Sequence, residues 1–135
     1  MIKINNSLIS NLLTQAAANP RLRQNFDLRS SEADASQRML NALQPGTVVP
    51  IHRHPNSNES IVLLCGKADE IFYDGEGRET ERLLMDPEAG SYGCVVPAGC
   101  WHTIVALEPT VIMEAKDGRY GEDGSESFPA KNQGL

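Results

Sequence analysis

The sequence predicts an all-β fold, a jelly-roll barrel of two packed sheets with one short helix before it. From residue 36 onward, short apolar and β-branched runs recur between turn-forming residues, as a sandwich or barrel requires. Only one stretch, near the start, carries apolar side chains at the helical spacing. The 135 residues, 40% hydrophobic and 22% charged, fit one globular domain.

The predicted helix spans residues 6–18. Asn6 or Ser7 can cap its first turn with a side-chain oxygen, and Pro20 ends it. Its apolar side chains recur three or four residues apart and form one stripe, namely Leu8, Ile9, Leu12, Leu13 and Ala16. We therefore expect residues 1–34 to form a helix and connector packed on the outside of the barrel.

Eight predicted strands build the barrel, which we place at residues 35–117. Turn formers separate the strands, and residues 74–77 have the Asp-Gly-Glu-Gly composition of a hairpin turn. The predicted strands are 36–43, 47–54, 59–65, 68–73, 79–84, 92–96, 102–107 and 110–116.

The remaining residues, 118–135, form a C-terminal tail rich in Gly, Asp, Glu, Ser and Lys. Its only large apolar side chains are Tyr120, Phe128 and Leu135. We expect a loosely held or disordered arm, with Tyr120 and Phe128 as the side chains able to dock on the barrel.

The composition also argues against several partners. The formal net charge of −6 disfavours nucleic acid, which selects basic surfaces. No apolar stretch approaches the roughly 20 residues that cross a bilayer, so we expect no membrane partner. The first residues lack the basic region and apolar run of a signal peptide, so we expect a cytoplasmic protein.

The three histidines of the chain lie in two short segments, residues 46–66 and 97–102. Side chains alternate faces along a strand, so His52 and His54 share a face, roughly 6.6 Å apart. Residues 55–58 are turn formers, and a hairpin there would place Glu59 opposite His54. A tight turn at residues 97–99 would deliver His102 from a distant strand.

Three imidazoles and one carboxylate suit a divalent transition metal, and a six-coordinate ion held this way keeps two positions open. Open positions favour chemistry or ligand capture, because structural zinc sites are usually closed. The plainer alternative is a surface His-x-His strand with an unrelated His102.

These residues resemble the first metal-binding motif of the cupin superfamily. That motif reads Gly, five residues, His-x-His, three or four residues, Glu, six residues, Gly. The chain matches it at every spacing with Gly46, His52, His54, Glu59 and Gly66.

The second cupin motif contains Pro-x-Gly, two residues and His, which Pro97, Gly99 and His102 match. Gly90 lies one residue farther from Pro97 than in the motif, and Ala106 stands where the motif has Asn. The resemblance implies the cupin double-stranded β-helix and one metal, Fe, Mn, Ni or Zn. Its ligands would be His52, His54, Glu59 and His102.

More narrowly, the chain resembles the WbuC family of small cupin-fold metalloproteins. The matching stretches are residues 37–43, 52–61, 97–104 and 114–116, within a resemblance that covers residues 1 to 120. This resemblance implies a role in surface-polysaccharide (O-antigen) biosynthesis, without specifying a reaction.

Four further residues are candidates for the pocket, each with a plainer alternative. Glu114 and Lys116 share a strand face and could act as general base and acid, or form a cross-strand ion pair. Arg38 would suit a carboxylate or phosphate of the substrate. Trp101 could stack on a sugar face or pack beside its strand.

Three arginines follow the helix. Arg21, Arg23 and Arg29 are either ordinary solvated charges or an anion-binding rim for a phosphate or sugar acid. The pattern favours solvated charges.

The functional hypotheses remain three. The first is a metal-assisted isomerase or epimerase of a sugar or sugar-nucleotide, with Glu114 or Lys116 moving protons. The second is a non-haem iron dioxygenase, and the third a non-catalytic, metal-dependent module that binds a carbohydrate or anion. All three imply a small-molecule partner.

The strand alternation also predicts apolar side chains on the outside of the barrel. Val62, Leu64, Val105 and Leu107 would face outward, while Ile61, Leu63, Cys65, Ile104 and Ala106 would face inward. Either the helix or a second subunit must cover the outward row, and we expect a homodimer.

Overall fold

The computed structural model describes residues 1–119 and 122–129, which form one α-helix and two five-stranded antiparallel sheets. Helix α1 comprises Asn6–Ala18, and a 3₁₀ turn comprises Pro87–Ala89. The strands are β1 Arg23–Asp27, β2 Ser36–Leu43, β3 His52–Arg53, β4 Glu59–Cys65, β5 Ala68–Tyr73, β6 Glu79–Met85, β7 Gly93–Val96, β8 Trp101–Ala106, β9 Thr110–Asp117 and β10 Glu126–Ser127. The predicted all-β jelly roll is confirmed.

The first sheet has the strand order β1-β2-β9-β4-β7 and the second has β10-β3-β8-β5-β6. The main hydrophobic core draws on both sheets, with Ile61 and Ile112 from the first and Ile104 and Met85 from the second. Ile104 and Ala106 are buried there, as the strand alternation predicts.

Helix α1 packs on the first sheet, where Leu12 and Ala16 meet Leu40 and Val111 in a second apolar cluster. The helix has the predicted bounds, but its N-cap is Asn5, whose side chain accepts a hydrogen bond from the backbone N–H of Leu8 at 3.0 Å. The expectation of Asn6 or Ser7 as the cap is wrong. Asn5 is the last residue with extended backbone, and Asn6 is already the first residue of the helix.

Two strands lie where none is predicted. The connector after the helix contains β1, which pairs with β2 along its whole length. The tail contains β10, which pairs with β3, and Phe128, which is buried with its ring 4.8 Å from that of Trp101. A loosely held tail is therefore wrong for residues 122–129, whereas Tyr120 and Leu135 lie outside the described residues.

The predicted strand at 47–54 shrinks to two residues. Pro50 has no N–H to donate to a sheet ladder, so regular pairing starts only at His52. The predicted hairpin between His54 and Glu59 is also wrong, because β3 and β4 belong to different sheets. The loop at residues 55–58 crosses from one sheet to the other.

The end of β4 departs from regular alternation. The β4–β9 register shifts between Leu63 and Cys65, and this bulge turns Cys65 toward the helix rather than into the barrel. Gly66 follows with φ +93°, and an added Cβ would lie 2.4 Å from the carbonyl oxygen of Pro109. This position requires glycine for both its backbone conformation and its close packing.

Part of the predicted outward row is uncovered. Leu64 packs in the helix cluster, but Val62, Val105 and Leu107 are 43%, 38% and 47% exposed. Among the described residues, no helix is long and apolar enough to cross a membrane.

Candidate metal centre

The three histidines converge at one point between the sheets. His52 and His102 are direct cross-strand partners on β3 and β8, and His54 follows β3 by one residue. Their rings lie 4.3 to 5.5 Å apart, centroid to centroid, and one nitrogen from each lies within 4.8 Å of the others. The fold thus brings together the imidazoles of the two predicted segments.

Hydrogen bonds to Nδ1 define the tautomer of each ring. Nδ1 of His52 lies 2.8 Å from the carbonyl oxygen of Pro50, and Nδ1 of His102 lies 2.9 Å from that of Cys100. Carbonyl oxygens only accept, so each Nδ1 must carry the proton and leave the Nε2 lone pair free. Backbone next to each ligand therefore orients it for metal binding.

His54 is oriented by the tail instead. Its Nδ1 lies 2.6 Å from Oγ of Ser125, which donates its own proton to the Asp123 carboxylate at 2.7 Å. Asp123 in turn forms a buried ion pair with Lys116. The hydrogen bonds from Lys116 and Ser125 outweigh burial and lower the pKa of Asp123, so the carboxylate stays charged.

Glu59 joins the histidines from the opposite sheet. One carboxylate oxygen lies 3.3 Å from Nε2 of His54 and the other 3.5 Å from Nε2 of His102. Burial raises the pKa of Glu59, but the adjacent imidazoles of His102 and His54 lower it to about 2. Glu59 is therefore a buried anion at neutral pH.

His52, His54, Glu59 and His102 direct hydrogen-bond acceptor atoms toward one another. Such a group of acceptors requires positive charge between them. Within the described residues, Nε2 of His54 and of His102 is buried without a hydrogen-bond partner. Burial and the neighbouring His102 lower the pKa of His52 to about 4, so this ring is neutral. Burial also lowers the pKa of His54, but Glu59 raises it above 6.5, and a proton there supplies only part of the missing charge. A divalent transition metal would satisfy all four acceptors, so the donor set fits such an ion.

Glu70 is a buried acid beside this group that the sequence reasoning missed. It is fully buried on β5, with Oε1 4.0 Å from Nε2 of His102, and neither carboxyl oxygen has a hydrogen-bond partner among the described residues. Burial, then the charges of Glu59 and Glu114, raise its pKa well above 4.5. The shift favours the neutral carboxylic acid over the carboxylate.

Glu114 and Lys116 both line the cavity, as their shared strand face predicts. The Asn41 amide donates a hydrogen bond to Oε1 of Glu114 at 3.3 Å. Burial and the charge of Glu59 raise the pKa of Glu114 to about 7, against the smaller effect of Asn41. Glu114 can therefore gain or lose a proton near neutral pH, whereas Lys116 is held in its ion pair with Asp123.

Arg38 and Trp101 lie elsewhere. Arg38 is on the opposite face of β2 from the cavity-lining Met39 and pairs with Asp34, so it does not reach the site. Trp101 packs on Phe128, and the guanidinium carbon of Arg53 lies 4.3 Å from the centroid of the Trp101 ring. The plainer alternative for Trp101 is the observed one.

The four candidate metal ligands, His52, His54, Glu59 and His102, line a cavity of about 480 Å³ between the sheets. Its lining includes the histidines, Glu59, Glu70 and Glu114, together with apolar Ile61, Ile104 and Ile112. Residues 125–127 of the tail form part of the wall beside them. The volume is in the range of small-molecule sites.

Comparisons with known proteins place this architecture. A family model described as a domain of unknown function (DUF6016) matches residues 4–85, more than half of the chain. No curated protein matches the chain.

Several solved structures share the fold. A cupin-2 domain-containing protein from Halorhodospira halophila is 19% identical with a TM-score of 0.61, covering 82% of this chain and 71% of its own. A protein provisionally described as a sugar phosphate isomerase, from Acidithiobacillus ferrooxidans, is 18% identical with a TM-score of 0.57, covering 72% and 60%. Bacillus subtilis oxalate decarboxylase, described with Mn(II) centres, is 22% identical with a TM-score of 0.59, covering 78% and 27%.

At these identities the structural matches establish the fold alone. Because the family model covers more than half of the sequence, the protein belongs to the DUF6016 family, and its fold is that of the cupins.

Proposed function

We propose that the protein is a metal-dependent enzyme of the isomerase or epimerase type, acting on a sugar or sugar-nucleotide. The observation that carries this proposal is the pairing of a metal-fitting donor set with two protonatable carboxyls, Glu70 and Glu114, in one cavity. Isomerisation and epimerisation of sugars move a proton between carbon and a base, so they need such groups next to an activated carbonyl.

His52, His54, Glu59 and His102 would hold the ion, which is Fe, Mn, Ni or Zn in this proposal. Once bound, the metal would supply a Lewis acid to polarise the substrate carbonyl. Glu114, with a pKa of about 7, would take the proton from carbon and return it. Glu70, protonated in its apolar setting, would donate a hydrogen bond or a proton to a substrate oxygen.

Lys116 has a different part in this proposal from the acid suggested by its sequence position. Its ammonium is buried and paired with Asp123, which in turn orients His54 through Ser125. Lys116 therefore supports the site by holding the charge of Asp123 in place. Proton transfer is assigned to the two glutamates.

The biological setting is also a proposal. The resemblance to the WbuC family supports a place in surface-polysaccharide biosynthesis, in the cytoplasm. The likeness to a protein provisionally described as a sugar phosphate isomerase supports the reaction class.

The proposed assembly is a homodimer. Helix α1 packs mainly on β1, β2 and β9 and covers only the end of β4, at Leu64 and Cys65. Val62 on β4 and Val95 on β7 are 43% and 59% exposed. A second copy of the chain would cover this apolar surface.

The test combines metal analysis with proton exchange. Protein purified without a metal-binding tag or chelator is analysed for bound elements, then incubated in D₂O with sugars, sugar phosphates and nucleotide sugars. We expect about one transition metal per chain and deuterium incorporation at a carbon next to the carbonyl. Oxygen uptake without deuterium exchange would indicate the dioxygenase, and chelator-sensitive binding without exchange would indicate the non-catalytic module.

A further inference from the structure

Two arginines line the cavity. They are Arg21, which is exposed, and Arg23, which is half-buried. The neighbouring Arg29 and Arg38 form ion pairs with Asp27 and Asp34, but among the described residues Arg21 and Arg23 form none. Two arginines therefore line the cavity without an ion-pair partner in the described part of the chain.

The protein backbone holds this arginine pair in place. The carbonyl oxygen of Arg21 accepts a hydrogen bond from Oγ of Thr47 at 2.7 Å, and that of Leu22 accepts one from the backbone N–H of Gln44 at 2.9 Å. Arg23 lies in β1 opposite Leu43, a residue of the main core. The arginines are thus presented from an anchored segment, next to the sheet face that lines the cavity.

Two amide side chains with unused acceptors line the same cavity from β2. Gln37 is 3% exposed and lines the cavity, and its Oε1 has no hydrogen-bond partner in the part of the chain that the structure describes. Oδ1 of Asn41, which lines the same cavity, is likewise buried and unpartnered. An unpaired buried amide oxygen is destabilising, so a ligand with hydroxyl donors would be stabilised here.

One cavity thus joins two arginines without ion pairs, two amides with free acceptor oxygens and the four candidate metal ligands. The strand register places Arg23 and Glu59 at opposite ends of this sheet face. We propose that the ligand of this cavity is a sugar with a terminal oxyanion, a phosphate or carboxylate, bound by Arg21 and Arg23. The hydroxyl groups contact Gln37 and Asn41, and the carbonyl end points toward the histidines. This assignment rests on the proposed function and narrows its substrate class.

Binding measurements test the assignment without requiring turnover. The probes are glucose 6-phosphate, mannose 6-phosphate, fructose 6-phosphate, ribose 5-phosphate and glucuronate, each compared by calorimetry with its neutral parent sugar and with inorganic phosphate. The protein is the full chain loaded with Zn²⁺. We expect at least one charged sugar to bind tenfold or more tightly than both its parent and inorganic phosphate. Sugar phosphates and glucuronate separate the two oxyanion sources.

Variants then separate the two parts of the site. R21Q/R23Q should weaken the charged sugar tenfold or more and leave its neutral parent unchanged, because only the oxyanion is lost as a partner. Gln37→Leu should weaken both by the same factor. The control R78Q removes a positive charge at the hairpin turn, where Arg78 pairs with Asp74, and should change neither.

The assignment is overturned if no charged sugar binds more tightly than its parent, or if R21Q/R23Q behaves like R78Q. Equal melting temperatures of the variants confirm that loss of binding is not loss of fold. Tight, arginine-dependent binding without proton exchange would remove the proposed reaction and leave this assignment standing. Proton exchange on a neutral sugar that R21Q/R23Q does not change would overturn this ligand assignment and leave the proposed reaction standing.

Discussion

Nδ1 of His54 lies 3.3 Å from a carboxylate oxygen of Asp123, with Oγ of Ser125 hydrogen-bonded to both. A segment that follows the last long strand thereby determines the proton position on a candidate metal ligand. Backbone carbonyls do the same for His52 and His102. Partners of this kind commonly contribute as much to a metal site as its ligands do.

The first prediction concerns this hydroxyl. Ser125→Ala should weaken metal binding about 10- to 100-fold, because Nδ1 of His54 loses its acceptor and the imidazole loses its orientation. Competition with a chromophoric chelator measures the affinity. Glu126→Gln is the matched control, since Glu126 neighbours Ser125 but pairs with Arg53 and not with a histidine. Equal affinities of the two variants would contradict a role for the tail in the site.

The sequence predicts the histidine cluster far better than the residues that support it. His52 and His54 follow from strand periodicity, and the confirmed strands β2, β4, β5 and β9 follow from apolar runs between turns. By contrast, β3 and β10 have two residues each, and such short strands form only because their partners exist in the folded chain.

Glu70 left a signal that the sequence reasoning did not use. It lies between Ala68 and Phe72 on a strand, and all three are cross-strand partners of β8 residues. A glutamate on the apolar face of a strand indicates a buried acid with a functional role. Arg38 and Trp101 lie away from the site for another reason. Strand alternation shows which residues share a face, but it does not show which face lines the cavity.

The second prediction concerns the ligands themselves. His52→Ala and His102→Ala should each remove most of the bound metal. Each variant leaves three of the four candidate ligands, and the affinity for the ion falls steeply when one ligand is lost. Elemental analysis of tag-free protein measures the loss. Chelator should lower the melting temperature of the wild type and leave that of the variants unchanged, because only the wild type gains stability from the ion. Full occupancy in both variants would refute the ligand assignment.

The third prediction concerns pH. Folding raises the pKa of Glu114 from 4.5 to about 7, so the metal-free folded state binds the proton more tightly than the unfolded state. This contribution is fully present below pH 4.5 and is lost as the pH rises through 7, a loss of up to about 3 kcal/mol. Glu114→Gln should therefore be more stable than the wild type at pH 8 and similar to it at pH 4.5.

Urea unfolding in the presence of chelator measures this difference at the two pH values. Glu79→Gln is a suitable control, because Glu79 is exposed and pairs with Arg82 on the outer hairpin. A stability difference between Glu114→Gln and wild type that does not change with pH would show that Glu114 titrates normally.

The fourth prediction concerns Glu70. Because its raised pKa favours the protonated carboxyl, Glu70→Gln replaces a neutral group with another of nearly the same shape. The free energy of unfolding should change by less than about 1 kcal/mol and bound metal should be retained. Proton exchange on the substrate should nevertheless fall by about 10²- to 10⁴-fold, the usual contribution of a general acid. Loss of metal in this variant would instead identify Glu70 as a ligand.

The last prediction concerns the uncovered face of the first sheet. Val62 and Val95 present apolar surface on neighbouring strands, where helix α1 does not reach. If a second copy covers this face, V62D/V95D should be monomeric by light scattering at micromolar concentration, while the wild type has twice the chain mass. The control V48D places the same charge on a valine that is 80% exposed outside the sheets. A wild-type monomer would overturn the dimer, and a dimeric V62D/V95D would move the interface to another surface.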